Sequence, residues 1–484
     1  MAYFFEGGLV MYDVAIIGAG IVGTSIAREL SKYDLNCVVI EKSNDIANGS
    51  TKANSGIVHA GYDAKEGTLK AKFNVLGNEM YEEICRELDV PYKKNGSLVL
   101  AFNDEEMRHI ETLYERGLKN GVKELSIIDK NTVLSLEPNI QNNVIGALYA
   151  KTGGIVSPFE LAIALAENAN ENGVEFMLST QVINIYKDKD IFKIETNNGI
   201  LDAKYLVNAA GLFSDEINNM LGGEKFNIIP RRGEYCLFDK AVGNMVTRTI
   251  FQTPSSKGKG ILVSPTVHGN LFVGPNAIEM DKKDDVSTTK EGLEEVLREG
   301  AKSVKNINPR DIITSFTGVR ATPSTNDFVI NVPTRNAVNA AGIESPGLTA
   351  SVAIAPYVVN LLENQGLKLI KKTNFIPKRK NTKLFINMSD DEKKRVLSLN
   401  SSYGRIICRC EHITEGDIIN AIKRPLGARS VDGVKKRVRA GMGRCQGGFC
   451  MPRVVEILAR ELNIPLTEIT KSDKGSYILT GETK

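Results

Sequence analysis

Tyr12-Asp-Val-Ala-Ile-Ile-Gly18-Ala-Gly20-Ile-Val-Gly23 decides the fold. Tyr12 to Ile17 reads as a buried strand and Ile21 to Lys32 as a helix with one apolar side, which puts the glycines in the turn between them. Gly18 allows the tight bend, Gly20 lets backbone approach a pyrophosphate, and Gly23 lets helix and strand pack closely. A second strand, Cys37 to Ile40, ends at Glu41, twenty-three positions after Gly18. A carboxylate there accepts hydrogen bonds from an adenosine ribose. Strand, glycine turn, helix, strand opens a doubly wound sheet that binds a dinucleotide, and NAD and FAD satisfy it equally.

Outward from that unit the βαβ alternation stops. Asn74 to Leu88 and Asp104 to Asn120 read as helices around one strand, Ser97 to Phe102. The dinucleotide pattern resumes at Ser157, where Ser157, Pro158 and Glu160 spell a capped helix start. Asp188 to Ile191 then links two strand-like runs, and Tyr205 to Ala210 is another buried strand. Alternating strands at Glu234 to Phe238, Gly260 to Ser264 and Asn270 to Val273 predict a mostly antiparallel sheet. The expected fold class is α/β: a Rossmann-like dinucleotide domain (11–72, 150–226 and 332–366) interleaved with an α+β substrate domain (73–149 and 227–331). A polar, basic linker (367–403), a small helical cysteine domain (404–465) and a tail (466–484) follow.

Composition narrows the function classes. Of 484 residues 42% are apolar and 25% charged, and the net charge of +3 gives no reason to expect a nucleic-acid partner. The basic run Lys435, Lys436, Arg437, Arg439 and Arg444 reads as a surface that steers an acidic partner, and Lys257 and Lys259 either as part of a mobile basic loop or as merely solvated. The longest apolar stretch, Thr349 to Leu362, is broken by Pro356 and Asn360 and is shorter than the ~20 residues of a membrane span. Met1 to Val10 lack a basic start and a cleavage site, so no secretory leader is expected, and Met11 is an alternative start. Seven cysteines, an odd count, fit a reducing cytoplasm.

Four of those cysteines form a pattern. Cys408-Arg-Cys410 and Cys445-Gln-Gly-Gly-Phe-Cys450 are separated by thirty-four residues. Four thiolates in two close pairs suit an iron-sulfur cluster, and taken alone they suit tetrahedral zinc equally well. Neighbouring glycines free backbone N–H groups to approach sulfur, and nearby Arg and Lys offset a cluster's negative charge. Thr414 with Asp417 is read as one helix cap and Pro452 as the first turn of another helix.

Two further segments separate FAD from NAD. Val207-Asn-Ala-Ala-Gly211-Leu-Phe-Ser214 ends a buried strand in small residues, and Asn339-Ala-Ala-Gly342-Ile-Glu-Ser-Pro-Gly347-Leu348-Thr349 precedes a helix. With the N-terminal turn they resemble the D-amino-acid-oxidase-like superfamily of flavoenzymes over residues 12 to 365. That resemblance implies FAD, with Gly342, Gly347, Leu348 and Thr349 bringing backbone N–H groups towards the flavin. It also implies that Ser50 and Thr51 meet phosphate and that Asn54, Ser55 and Gly56 lie along the flavin. Residues 404 to 462 resemble the [2Fe-2S] domain related to bacterioferritin-associated ferredoxin, which implies Cys408, Cys410, Cys445 and Cys450 as cluster ligands.

Oxidising an alcohol needs a base, and an anionic substrate needs a cation to fix its pose. His59 is the candidate base, with orientation of the cofactor as the alternative; His109, His268 and His412 read as surface or loop residues. Arg320, in Thr317-Gly-Val-Arg320-Ala-Thr-Pro323, resembles the arginine with which relatives hold a carboxylate or phosphate, with a structural ion pair as its alternative. Arg232 and Tyr235, beside Arg231, are secondary substrate candidates.

Flavin fold first and [2Fe-2S] domain last resembles the large subunits of anaerobic glycerol-3-phosphate dehydrogenases. The resemblance implies oxidation of sn-glycerol 3-phosphate to dihydroxyacetone phosphate. Electrons would pass through the cluster to a partner subunit or quinone, in the cytoplasm or at the inner face of the membrane through that partner. Ala60-Gly61-Tyr62-Asp63 lacks the arginine those enzymes commonly place after the histidine. That stretch and Leu271-Phe-Val-Gly-Pro-Asn276 look more like L-2-hydroxyglutarate dehydrogenase, so a 2-hydroxy acid is the alternative substrate, and a non-catalytic electron relay is the alternative of another class.

Overall fold

A computed structural model describes residues 11–254, 260–380 and 383–481. The readings of Met1 to Val10 and of Lys257 and Lys259 lie outside those residues. Glu175–Met177, Cys37–Ile40, Met11–Ile17, Gly199–Asn208 and Ala337–Ala341 run side by side in parallel. Their inner positions, among them Val14, Ile16, Val39, Val207 and Val338, are buried on both faces of the sheet, which is why these strands read as continuous apolar runs. The hairpin Val182–Asp188 with Ile191–Thr196 pairs antiparallel with the first half of Gly199–Asn208.

Helices Ile21–Leu30, Pro158–Glu171 and Gly347–Asn364 share one core with Leu69–Glu87. Leu69–Glu87 starts five residues before the predicted Asn74, because Thr68 caps it by accepting the Ala71 N–H at 3.2 Å. At Pro158 the predicted capping box is absent. Ser157 makes no side-chain cap bond, and Glu160 meets His268 Nε2 at 2.8 Å instead.

Among the described residues the second sheet has nine strands, three of them (Ser97–Ala101, Leu125–Asp129 and Gly146–Ala150) from the first inserted segment. Every pairing in it is antiparallel except that of Thr249–Gln252 with Ser97–Ala101. Its longest contact joins Ile228–Phe238 to Ile312–Pro323, opposing Arg231 to Arg320 and Tyr235 to Phe316. A three-stranded patch of Ile57–Val58, Gly154–Val156 and Tyr92–Lys93 holds the loop before His59.

Helices Glu415–Lys423, Val431–Val438 and Met451–Leu462 enclose a separate small core of Ile418, Val434, Val454 and Leu458. The Thr414–Asp417 capping box forms as read, with Thr414 Oγ1 accepting from Asp417 N at 3.1 Å and Asp417 Oδ2 from Thr414 N at 2.9 Å.

The linker region is not a bare connector. Ile370 O accepts from Asp34 N at 2.7 Å, Ile376 N donates to Asn172 Oδ1 at 2.8 Å, and Asp390–Leu399 is helical. Nor is all of the basic run a surface. Arg437 and Lys436 are buried, with Arg437 forked onto Asp45 at 2.7 and 2.8 Å and Lys436 3.0 Å from the same carboxylate. Burial pushes the Asp45 carboxyl up, but the Arg437 guanidinium, backed by Lys436, holds it well below the usual carboxylate range. Its contribution is therefore complete above the unfolded value of ~3.9 and is lost as pH falls below it. Asp45→Ala strands two buried cations and is expected to cost about 3–5 kcal/mol, read as an earlier thermal transition. Pairing Asp45→Leu with Arg437→Met and Lys436→Met is expected to restore much of that loss.

Candidate functional site

The glycine turn is built by close approach. Gly18 sits at φ +104°, and a Cβ there would lie 2.5 Å from Ala209 O; a Cβ on Gly23 would strike Gly18 O. Ile21 N, in the first turn of the helix, donates to Thr51 Oγ1 at 3.0 Å, so Thr51 ties the loop to the turn. Glu41 accepts Ala19 N at 2.7 Å and Ser43 N at 2.8 Å, and burial pushes its carboxyl up. Ser50 donates its hydroxyl proton to Val319 O at 2.6 Å, which leaves that hydroxyl committed to protein. Asn54 staples the loop, donating to Thr51 O at 2.9 Å while accepting Gly56 N at 2.9 Å.

The turn and the loop after Glu41 open onto one cavity of about 2290 Å³. An ordinary small-ligand pocket holds about 300–1,000 Å³, so this one has room for a dinucleotide and a substrate together. Gly18, Gly20, Glu41, Ser50, Thr51, Asn54, Ser55, Gly56, Gly211, Gly347 and Leu348 line it, as do His59, Tyr235 and Arg320. Gly23, Gly342, Thr349 and Arg232 do not. Gly23 works behind the turn. Thr349 ties helix Gly347–Asn364 to the loop, its Oγ1 accepting His59 N at 2.9 Å. The buried Arg232 is locked to Asp285 at 2.5 Å, while its neighbour Arg231 reaches the cavity and pairs with Glu279 at 2.7 Å.

His59 is placed by its backbone: besides the bond to Thr349, its carbonyl accepts Asn74 Nδ2 at 3.0 Å and Asn78 Nδ2 at 3.1 Å. The imidazole lies 5.8 Å from the Phe251 ring, centroid to centroid. Among the described residues no carboxylate forms an ion pair with Arg320; its Nη2 donates to Asn276 O at 3.1 Å. Tyr235 stacks on Phe316 at 4.7 Å. Burial pushes its hydroxyl up, against the pull of Arg320 and Ser55.

Several cavity residues carry no local signal of their place. Phe251 belongs to no motif for a base or an anchor, and Asn276 enters the sequence reading only as the end of the stretch Leu271 to Asn276. His268 sits in the turn between Leu262–Pro265 and Leu271–Gly274, a loop residue as expected, and from there it lines the cavity and pairs with Glu160, whose carboxyl is held down against burial by His268 and then by Arg439. Asp432, Lys435, Arg439, Met442 and Gln446 of the cysteine domain form part of the same wall. The run of basic residues at 435–439 is the available signal, but it does not say which face of the helix turns inward.

The four thiols face each other across the two sequence pairs. Cys410 Sγ is 3.6 Å from Cys445 Sγ, and Cys408 hydrogen-bonds with Cys450. Cys450 and the N–H groups of Gly441 and Glu411 pull the Cys408 thiol down, while Phe449 and Gly447 direct N–H groups at Cys445. Among the described residues no three His, Cys, Asp or Glu side chains converge on one metal ion. Facing pairs with backbone donors suit a binuclear cluster in which each iron takes two thiolates.

Residues 13–361 match the family described as FAD dependent oxidoreductase, and residues 406–460 match the BFD-like [2Fe-2S] binding domain. The chain is 56% identical over 476 residues to a glycerol 3-phosphate dehydrogenase of Caloramator mitchellensis, covering 98% of this chain and 99% of that one. It is 32% identical over 290 residues to the mitochondrial L-2-hydroxyglutarate dehydrogenase of Bos taurus, covering 56% and 62%. Among solved structures, the dithionite-reduced L-alpha-glycerophosphate oxidase of Mycoplasma pneumoniae with FAD bound superposes with a TM-score of 0.73 at 31% identity, covering 77% and 99%.

Proposed function

The chain belongs to the FAD dependent oxidoreductase family and carries a BFD-like [2Fe-2S] binding domain, and from that premise we propose that it oxidises sn-glycerol 3-phosphate to dihydroxyacetone phosphate and delivers the electrons to a partner subunit or quinone. The observation that carries this reading is a single cavity lined both by Gly18, Gly20 and Glu41 and by His59, Tyr235 and Arg320. The close likeness to the Caloramator dehydrogenase supports the choice of substrate. Bound FAD supplies the hydride acceptor and the cluster a one-electron carrier. Arg320, free of acid partners among the described residues, holds the phosphate through paired N–H donors. His59 takes the hydroxyl proton, and Tyr235, kept protonated by burial, offers a hydrogen bond to the substrate. Arg232, held by Asp285, shapes the strand beside the substrate instead of touching it.

No helix among the described residues is long and apolar enough to cross a membrane. We place the reaction in the reducing cytoplasm, reaching the inner membrane face through the partner. A 2-hydroxy acid is the second reading, favoured by Gly61, Tyr62 and Asp63 lining the cavity where an arginine is missing.

Anaerobic titration separates the readings. Glycerol 3-phosphate is expected to bleach the flavin many times faster than L-2-hydroxyglutarate does. The reverse order installs the 2-hydroxy acid, and bleaching by neither leaves an electron relay.

A further inference from the structure

Helix Val431–Val438 belongs to the [2Fe-2S] domain yet forms part of the dinucleotide cavity. Two of its cations are consumed in holding it there. Lys436 Nζ donates to Ile46 O at 2.7 Å and Asn48 Oδ1 at 2.8 Å, and Arg437 binds Asp45 and Leu426 O. These bonds fix the helix in rotation and leave Lys435 on the wall that also carries Gly18, Gly20, Thr51 and Lys52.

Among the described residues the Lys435 ammonium has no ion pair and no hydrogen bond. The acid one turn before it, Asp432, is engaged by Lys471 at 3.4 Å. Burial lowers the Lys435 pKa, and the like charges of Lys471, Arg439 and Lys52 lower it further, with Asp432 opposing them. A half-buried ammonium among cations is costly unless an anion comes to it. FAD carries such an anion, its pyrophosphate, and the fold seats that group at the N-terminus of the helix that begins after Gly20.

We propose that Lys435, together with Lys52, neutralises the FAD pyrophosphate, so that the [2Fe-2S] domain completes the flavin site. The proposal rests on FAD binding and not on the choice of substrate, which flavin bleaching tests separately.

The test uses the full chain, purified anaerobically with its cluster and stripped of flavin. FAD and riboflavin affinities are measured by flavin fluorescence for Lys435→Met, Lys435→Glu and Lys435→Arg, with iron and sulfide determined per chain. Lys435→Met is expected to weaken FAD about 10- to 100-fold, the range of one charge-assisted hydrogen bond, and Lys435→Glu to weaken it further. Lys435→Arg is expected to stay near wild type. Riboflavin, which has no pyrophosphate, is expected to bind all variants alike, with iron and sulfide unchanged. Wild-type FAD affinity in Lys435→Glu, equal weakening of FAD and riboflavin, or loss of iron in step with flavin in Lys435→Met overturns it.

Discussion

His59→Asn is expected to slow reduction of the flavin by substrate about 10²- to 10⁴-fold, the usual cost of losing a positioned proton acceptor, while FAD content stays at the wild-type level. The backbone explains why the loop survives the change. Thr349 holds the His59 N–H, Asn74 and Asn78 hold its carbonyl, and none of the three bonds uses the ring. Stopped-flow absorbance across pH separates the two roles of the imidazole. If the ring accepts the hydroxyl proton, the wild-type rate falls on the acid side as the ring protonates, and the variant shows no such limb. If the ring only orients the flavin, Asn preserves most of the rate and the limb belongs to another group. A variant within about tenfold of wild type at every pH removes His59 from the chemistry.

The parts of this site that were legible from the chain are those in which chemistry is contiguous. Gly18, Gly20 and Gly23 lie within six residues of one another, and CxC and CxxxxC each occupy one short stretch of chain. What stayed hidden is long-range. Cys410 faces Cys445, thirty-five positions away, and not its sequence neighbour Cys408. Lys436 and Arg437 turn inward because Asp45, almost four hundred positions away, needs a counter-charge in the core. Charge pattern alone names a basic helix but not its inward side.

Fold class and element types were similarly readable where periodicity was strong. The parallel strands are buried on both faces and therefore apolar throughout, and the Thr414–Asp417 capping box is local. Glu160 obeyed no local rule. Its spacing from Ser157 matches a capping box, but His268 from a distant hairpin offers a stronger partner than a backbone N–H. Ser50 likewise has the right type to meet phosphate, but its hydroxyl donates a hydrogen bond to the Val319 carbonyl of strand Ile312–Pro323.

Cys410→Ala is expected to remove the cluster and to separate the two halves of the reaction. The 3.6 Å between Cys410 and Cys445 sulfurs is close to the edge of a tetrahedron of ~2.3 Å metal–sulfur bonds, so this pair fits one metal centre. Losing one of its two thiolates leaves that iron with a single protein ligand at the exposed edge of the domain. No other thiol can take its place. Burial pushes Cys37 and Cys85 up to about 12 and Cys236 up to about 11, which keeps all three protonated and inert within their cores. Iron and acid-labile sulfide are therefore expected to fall to background in anaerobically purified protein, and the paramagnetic signal of the reduced cluster to vanish. Delivery of electrons to a one-electron acceptor is expected to drop at least about a hundredfold, the upper range that even the outer partners of metal ligands cost. Flavin bleaching by substrate is expected to persist, because His59 and Arg320 belong to other elements. Retention of iron and sulfide in Cys410→Ala removes this residue from the ligand set, and loss of bleaching along with the cluster shows that the flavin half cannot work alone.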